Sequence, residues 1–183
     1  MSLRVSFDLD DDDLDHFRLI MREARKTVAH LQPEDIVAAA ETLLRGIGAT
    51  GTPGFIRERL GQLQMLIQMM TDLEWRLPHA EASRVLNALA YFTEPEDLIP
   101  DQIPGLGYLD DAIMIELVVR ELGHEIEAYR DFCDLRDTNS DKSTTTRERW
   151  LDKRRDELQA RMRQRRERDL RDRHDRGDRP LLD

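Results

Sequence analysis

At 183 residues, with 36% charged and 39% hydrophobic side chains, the chain has room for one core of ordinary size and an appendage. Its single cysteine, Cys133, excludes an internal disulfide, and no Cys/His cluster has zinc spacing, so a reducing, cytoplasmic setting is expected. The net charge of −10 is uneven: residues 1–146 carry 14 Lys and Arg against 28 Asp and Glu, whereas residues 147–179 carry 14 against 9, so an acidic body precedes a basic tail.

Only "LRVSFDL" alternates polar and apolar residues, and with no second strand to pair it is expected as an ordered arm. The aspartate run that follows stands where a secretory leader would need an apolar stretch. Asp10 to Asp13 instead supply an N-cap and favourable charge at the positive end of a helix dipole, and the run lacks the glycine and distal glutamate of a calcium loop. Leu14, Phe17, Met21, Ala24, Val28 and Leu31 then recur every three or four residues, the signature of one buried helix face. Pro33 with Glu34 and Asp35 opens a second helix whose inner face is Ile36, Ala40, Leu43, Leu44 and Ile47. A third is expected from about Pro53 to Leu77, with Phe55, Leu60, Leu63, Ile67, Met70 and either Leu73 or Trp75 inward, and with Met65, Met69 and Met70 as pliable core. Pro78 starts a fourth helix with the stripe Ala82, Val85, Leu89 and Phe92.

A fifth, from about Tyr108 to Phe132, would be the spine, about 37 Å long at 1.5 Å per residue. Its run "AIMIELVV" is broken by Glu116 and falls far short of the roughly 20 residues a bilayer span needs, so a soluble chain is expected. "RDTNSDKSTTT" reads as a linker. Beyond it the sequence is helical by propensity and by charge pairs such as Glu157 with Arg154 and Arg161, but only Trp150, Leu151, Leu158 and Met162 offer apolar contact. Past Met162 a frayed or solvated helix is expected. The fold class is therefore all-α: a compact bundle of about five helices over residues 1–136, a flexible linker at 137–146, and a basic, charge-rich helical tail at 147–183.

Between the fourth and fifth helices, residues 97–111 read "DLIPDQIPGLGYLDD". Pro95, then Asp97-Leu98-Ile99-Pro100-Asp101, Ile103-Pro104 and Gly107-Tyr108-Leu109-Asp110-Asp111 form a pattern of fixed types at fixed spacing, within residues 88–132, that resembles the YkvA-type family, a bacterial domain of unknown function. The resemblance implies a small α-helical domain, assigns no activity, and marks Asp97, Pro100, Asp101, Pro104, Gly107, Tyr108, Asp110 and Asp111 as motif candidates. Gln102, Gly105 and Glu116 make this copy more polar than the family's usual pattern, which weakens the membrane association that greasier relatives suggest.

Two readings of the stretch stand side by side. As a corner, Thr93 and Glu96 have capping-box spacing, Pro100 stops the turn, Ile99, Ile103 and Leu106 plug the bundle end, and Asp110 and Asp111 cap the next helix. As a site, Asp97, Asp101, Asp110 and Asp111 offer hard oxygen ligands for Mg²⁺, Mn²⁺ or Ca²⁺ and would make a divalent-metal-dependent enzyme. Against the second, successive helix positions 110 and 111 point about 100° apart and no histidine lies near in sequence.

Elsewhere "HEIEA" at His124 starts like a zincin helix, but Ala128 replaces the second histidine, and no P-loop or nucleophile motif is present. The tail, through Trp150, Arg154, Arg161 and Arg165, is a candidate surface for a protein partner or a second copy. Nucleic acid is the weaker option, because acids alternate with the arginines and only Trp150 could stack on a base. The sequence thus predicts a non-enzymatic protein-interaction or accessory module with no resident cofactor.

Overall fold

Helical spacing becomes helix across the computed structural model, which describes residues 8–48, 54–93, 109–138 and 144–182. Seven α-helices and two 3₁₀ turns follow in order, with no strand among the described residues. Helix α1 (Asp11–Thr27) begins with a reciprocal capping box, the Asp13 amide donating to the Asp10 carboxylate at 3.0 Å and the Asp10 amide to Asp13 at 3.1 Å. These two bonds satisfy donors that the helix leaves unpaired. Asp10→Ala is expected to lower stability by about 1 kcal/mol, read as a shift of the urea midpoint. Phe17, Met21, Ala24 and Val28 are buried as the spacing predicts, while Leu14 and Leu31 at the two ends are half-exposed.

A 3₁₀ turn (Val28–His30) leads to α2 (Pro33–Gly48), which buries Ile36 and Ala40 and leaves Leu43 and Leu44 partly covered. Helix α3 (Gly54–Thr71) stops six residues short of the expected Leu77. At Asp72 the side chain takes over the backbone: its Oδ1 accepts from the amides of Glu74 (2.9 Å) and Trp75 (3.2 Å), closing a turn that competes with helix. That turn decides between the two inward candidates. Trp75 is fully buried against the rings of Tyr129 and Phe132, whereas Leu73 is 86% exposed.

Helix α4 (His79–Leu89), with Pro78 as N-cap, passes into a 3₁₀ turn (Ala90–Thr93) that packs on α1 and α2. The expected single spine is two helices, α5 (Leu109–Glu121) and α6 (Gly123–Thr138), parted at Leu122. Gly123, a poor helix former, follows the break. The amide of Leu122 still reaches the Val118 carbonyl (2.9 Å) and that of Ile126 the Leu122 carbonyl (3.0 Å). Helices α3 and α5 pack together at the centre, with Leu63, Leu66, Met69, Met114, Ile115 and Leu122 fully buried.

Helix α7 (Thr144–Arg176) is the main departure from expectation. Residues 137 and 138 end α6 and 144–146 begin α7, while 139–143 lie outside the described residues. Its 33 residues, about 50 Å at 1.5 Å per residue, run along α6 well past Met162 without fraying. Leu151, Leu158 and Met162 are buried, and Gln159 donates to the Trp75 carbonyl at 2.9 Å. The helix ends where Gly177, at φ 82°, adopts the left-handed conformation: its amide donates to the His174 carbonyl (3.1 Å) and that of Asp178 to the Arg173 carbonyl (3.0 Å). The chain then doubles back onto α1. Arg18 donates to the Arg179 carbonyl (2.7 Å), Arg25 to the Leu182 carbonyl (3.1 Å), and Leu182 is buried.

Candidate functional site

Of the residues the sequence singles out, Asp97, Pro100, Asp101, Pro104, Gly107 and Tyr108 lie outside the described residues. Asp110 and Asp111 form the first turn of α5, as a helix dipole favours, and are both buried, 3% and 6% exposed. Among the described residues no group of three or more His, Cys, Asp or Glu side chains could hold a metal ion. In the tail, the Arg154 guanidinium lies 5.8 Å from the Trp150 ring centre and 2.7 Å from Glu157. Arg161 and Arg165 reach across to Asp131 (3.8 Å) and Glu127 (2.9 Å) on α6. Arg161 and Arg165 of the basic tail therefore face carboxylates of the chain's own body, whereas Arg154 pairs within the tail.

The deeper part of that meeting was not anticipated. Glu81 on α4, Glu121 ending α5 and Glu125 on α6 are buried, Glu125 fully. Arg166 of α7 bonds Glu125 at 2.7 Å and Glu81 at 3.2 Å, Arg173 bonds Glu121 at 2.9 Å, and Arg84 bridges Glu125 (3.2 Å) and Glu121 (3.8 Å). Three carboxylates thus meet three guanidiniums, a balance that burial demands because an unpaired charge in the interior is very costly. Burial alone would pull the pKa of Arg166 down; Glu125 and Glu81 outweigh it and hold the value above the ordinary range. The signal lay in register: Glu81 falls in step with Val85 and Ala88, Glu121 and Glu125 with Val118, Tyr129 and Phe132, and Arg166 and Arg173 with Leu151, Leu158 and Met162.

A second polar knot ties the Asp72 turn to α6. Asp72 Oδ2 accepts from the Tyr129 hydroxyl (3.0 Å) and from Arg136 (2.7 Å), and Arg136 and Arg147 both reach Glu74. Cys133 lies beside it, its thiol pKa pushed up by burial, which keeps it a thiol and a poor nucleophile.

An open concavity among the described residues lies elsewhere, along α1. A cleft of about 570 Å³ is rimmed by Arg22, Arg25 and Lys26 and floored by Val28, Ile36 and Leu86, with Ser83 and Asn87 on the α4 wall. A second hollow of about 460 Å³ shares Arg22 and Arg25 and continues past Arg18 and Leu19 to Arg179. Arg18 and Arg179 are paired with Asp15, and Lys26 with Glu23. Arg22 and Arg25 have no carboxylate partner among the described residues.

Residues 84–117 match the family model described as Protein of unknown function (DUF1232). The chain is also 29% identical over 94 residues to the Uncharacterized membrane protein YkvA of Bacillus subtilis (strain 168), a match spanning 45% of this chain and 87% of that protein. Residues within this chain are thus similar to a YkvA-type domain. No solved structure matches the chain. Residues 84–117 contribute Arg84 to the buried ion cluster and Leu86 and Asn87 to the α1 cleft, and they include Asp110 and Asp111. Arg166, Arg173 and the α1 arginines lie outside residues 84–117, so both polar assemblies join that segment to the rest of the chain. Among the described residues no helix is long and apolar enough to cross a membrane.

Proposed function

We propose that the chain is a non-enzymatic accessory module, cytoplasmic in location, that binds an anionic partner on the exposed face of α1. Charge placement carries this reading. The buried carboxylates Glu81, Glu121 and Glu125 are neutralised internally by arginines, whereas Arg22 and Arg25 stand at an open cleft without a carboxylate partner among the described residues, in a chain of net charge −10. The described lining of the larger cleft includes no carboxylate, imidazole or thiol, so it offers groups that hold an anion rather than groups that transfer a proton. The Bacillus relative is named a membrane protein, and by analogy the anionic partner is sought at a membrane.

Melting the full chain in phosphate and in chloride at matched ionic strength tests this. A saturable rise of several degrees is expected when phosphate reaches about 100 times its dissociation constant, with the rise reduced in Arg22→Gln. A midpoint that follows ionic strength alone, or a phosphate effect retained in full by Arg22→Gln, counts against the reading.

A further inference from the structure

We infer that the α1 cleft is a site for an amphiphilic anion, a phosphate or carboxylate head joined to an alkyl chain; this rests on the anion-binding reading above and names the class of ligand. Four cations, Arg18, Arg22, Arg25 and Lys26, recur along one side of α1 within about 12 Å of helix axis; Arg18 and Lys26 are paired with Asp15 and Glu23, so Arg22 and Arg25 carry the charge without a carboxylate partner among the described residues. Two of them, Arg22 and Arg25, line both hollows, so a single head group between them can be reached from either end. Ser83 and Asn87 on the opposite wall add a hydroxyl and an amide that can donate to a head-group oxygen.

Below this polar rim the cleft changes character. Val28 and Ile36 are 7% and 6% exposed, and with the half-buried Leu31 and Leu86 they give the cleft an apolar lining. A bare inorganic anion would leave that lining in water. A nucleotide would find no aromatic ring on the lining to stack on. An alkyl chain, in contrast, gains from each methylene it buries there, and the volume of about 570 Å³ lies within the usual range for small-ligand sites.

The ligand can come from two sources, an amphiphile free in water or a lipid in a bilayer. The 49%-exposed Leu19, in the adjoining hollow, suits contact with a bilayer, whereas the net charge of −10 opposes general adhesion to an anionic one.

The full chain is melted against inorganic phosphate and against dihexanoyl phosphatidic acid below its micelle concentration, and is sedimented with phosphatidylcholine vesicles with and without phosphatidic acid. The soluble phosphatidate is expected to act at a concentration about tenfold or more below that of phosphate. Arg22→Gln/Lys26→Gln is expected to weaken it about thirtyfold. Leu86→Gln is expected to abolish the preference for phosphatidate while keeping the phosphate response. Arg168→Gln, at an exposed α7 position outside both hollows, serves as the control and is expected to behave as wild type. Co-sedimentation only with phosphatidic-acid vesicles supports the inference and assigns the bilayer source; a soluble effect without co-sedimentation supports it and assigns the free source. Equal potency of phosphate and phosphatidate, without co-sedimentation, overturns the amphiphile and leaves the anion-binding reading standing. No response to any probe overturns both.

Discussion

Arg166→Met is expected to lower the unfolding free energy by about 3–5 kcal/mol, a fall of about 10 °C in the melting midpoint for a chain of this size. The guanidinium bonds Glu125 at 2.7 Å and Glu81 at 3.2 Å, and those residues are 0% and 2% exposed, so its loss strands Glu81 and leaves Glu125 with Arg84 alone where water does not reach. The attraction itself is not what makes the loss large; buried pairs roughly break even against apolar replacements of similar volume. Stranding is what costs, and it gives the experiment an internal check. Combining Arg166→Met with Glu125→Gln is expected to be milder than the sum of the two single changes by about 1–3 kcal/mol. Additive losses, or a single-variant loss below about 1 kcal/mol, would show that α7 is held by its apolar contacts alone. Exposed pairs such as Lys153 with Glu157 provide the contrast, since pairs of that kind commonly contribute little that is measurable.

The second large effect concerns pH. Burial pushes the Asp72 carboxyl up, but hydrogen bonds from Arg136, from the Glu74 and Trp75 amides and from the Tyr129 hydroxyl together outweigh it and hold its pKa below the ordinary 3.8. A carboxylate depressed in the folded state adds stability that is complete above the unfolded value and disappears as pH falls through the folded one. Its contribution is therefore present at pH 5 and lost in acid below about pH 4. Tyr129 behaves oppositely: burial, then the nearby Cys133 and Asp72, raise its pKa above 10.0, so its share is present below pH 10 and declines as pH rises beyond it. Asp72→Asn is expected to lose about 2–3 kcal/mol at neutral pH, through the charged hydrogen bond to Arg136, and to flatten the acid limb of a stability profile. Tyr129→Phe is expected to flatten the alkaline limb. An Asp72→Asn profile parallel to wild type between pH 5 and pH 2 would place the acid sensitivity in other groups.

Much of the fold was legible because α1 to α4 bury apolar residues at helical spacing and announce their starts chemically. Phe17, Met21, Ala24 and Val28 needed only periodicity, and Asp10 only its distance from Asp13. Past Met162 helix α7 stays helical and buries no further residue, as a solvated helix would, but its inner stripe changes at Arg166 to part-buried cations whose pairing with buried carboxylates charge read alone did not disclose. Its stop was written plainly in Gly177 followed by Pro180. The turn at Asp72 was hidden because its capping amides belong to Glu74 and Trp75, and nothing in their side chains marks it. The α1 cleft was invisible for a different reason. Arg22, Arg25 and Lys26 read as an ordinary solvated face until α2 and α4 bring Ile36 and Leu86 alongside them.

The bond from Arg18 to the Arg179 carbonyl closes a loop of 161 residues. On a ribosome adding about 5–20 residues per second, α1 waits roughly ten to thirty seconds for the segment that clasps it. Over the same interval Glu81, Glu121 and Glu125 emerge well before Arg166 and Arg173, so the nascent bundle holds three carboxylates that only the synthesis of α7 can bring fully into pairing. Until then Glu81 lacks Arg166, and Glu121 and Glu125 have only Arg84 of the three guanidiniums that meet them in the folded chain.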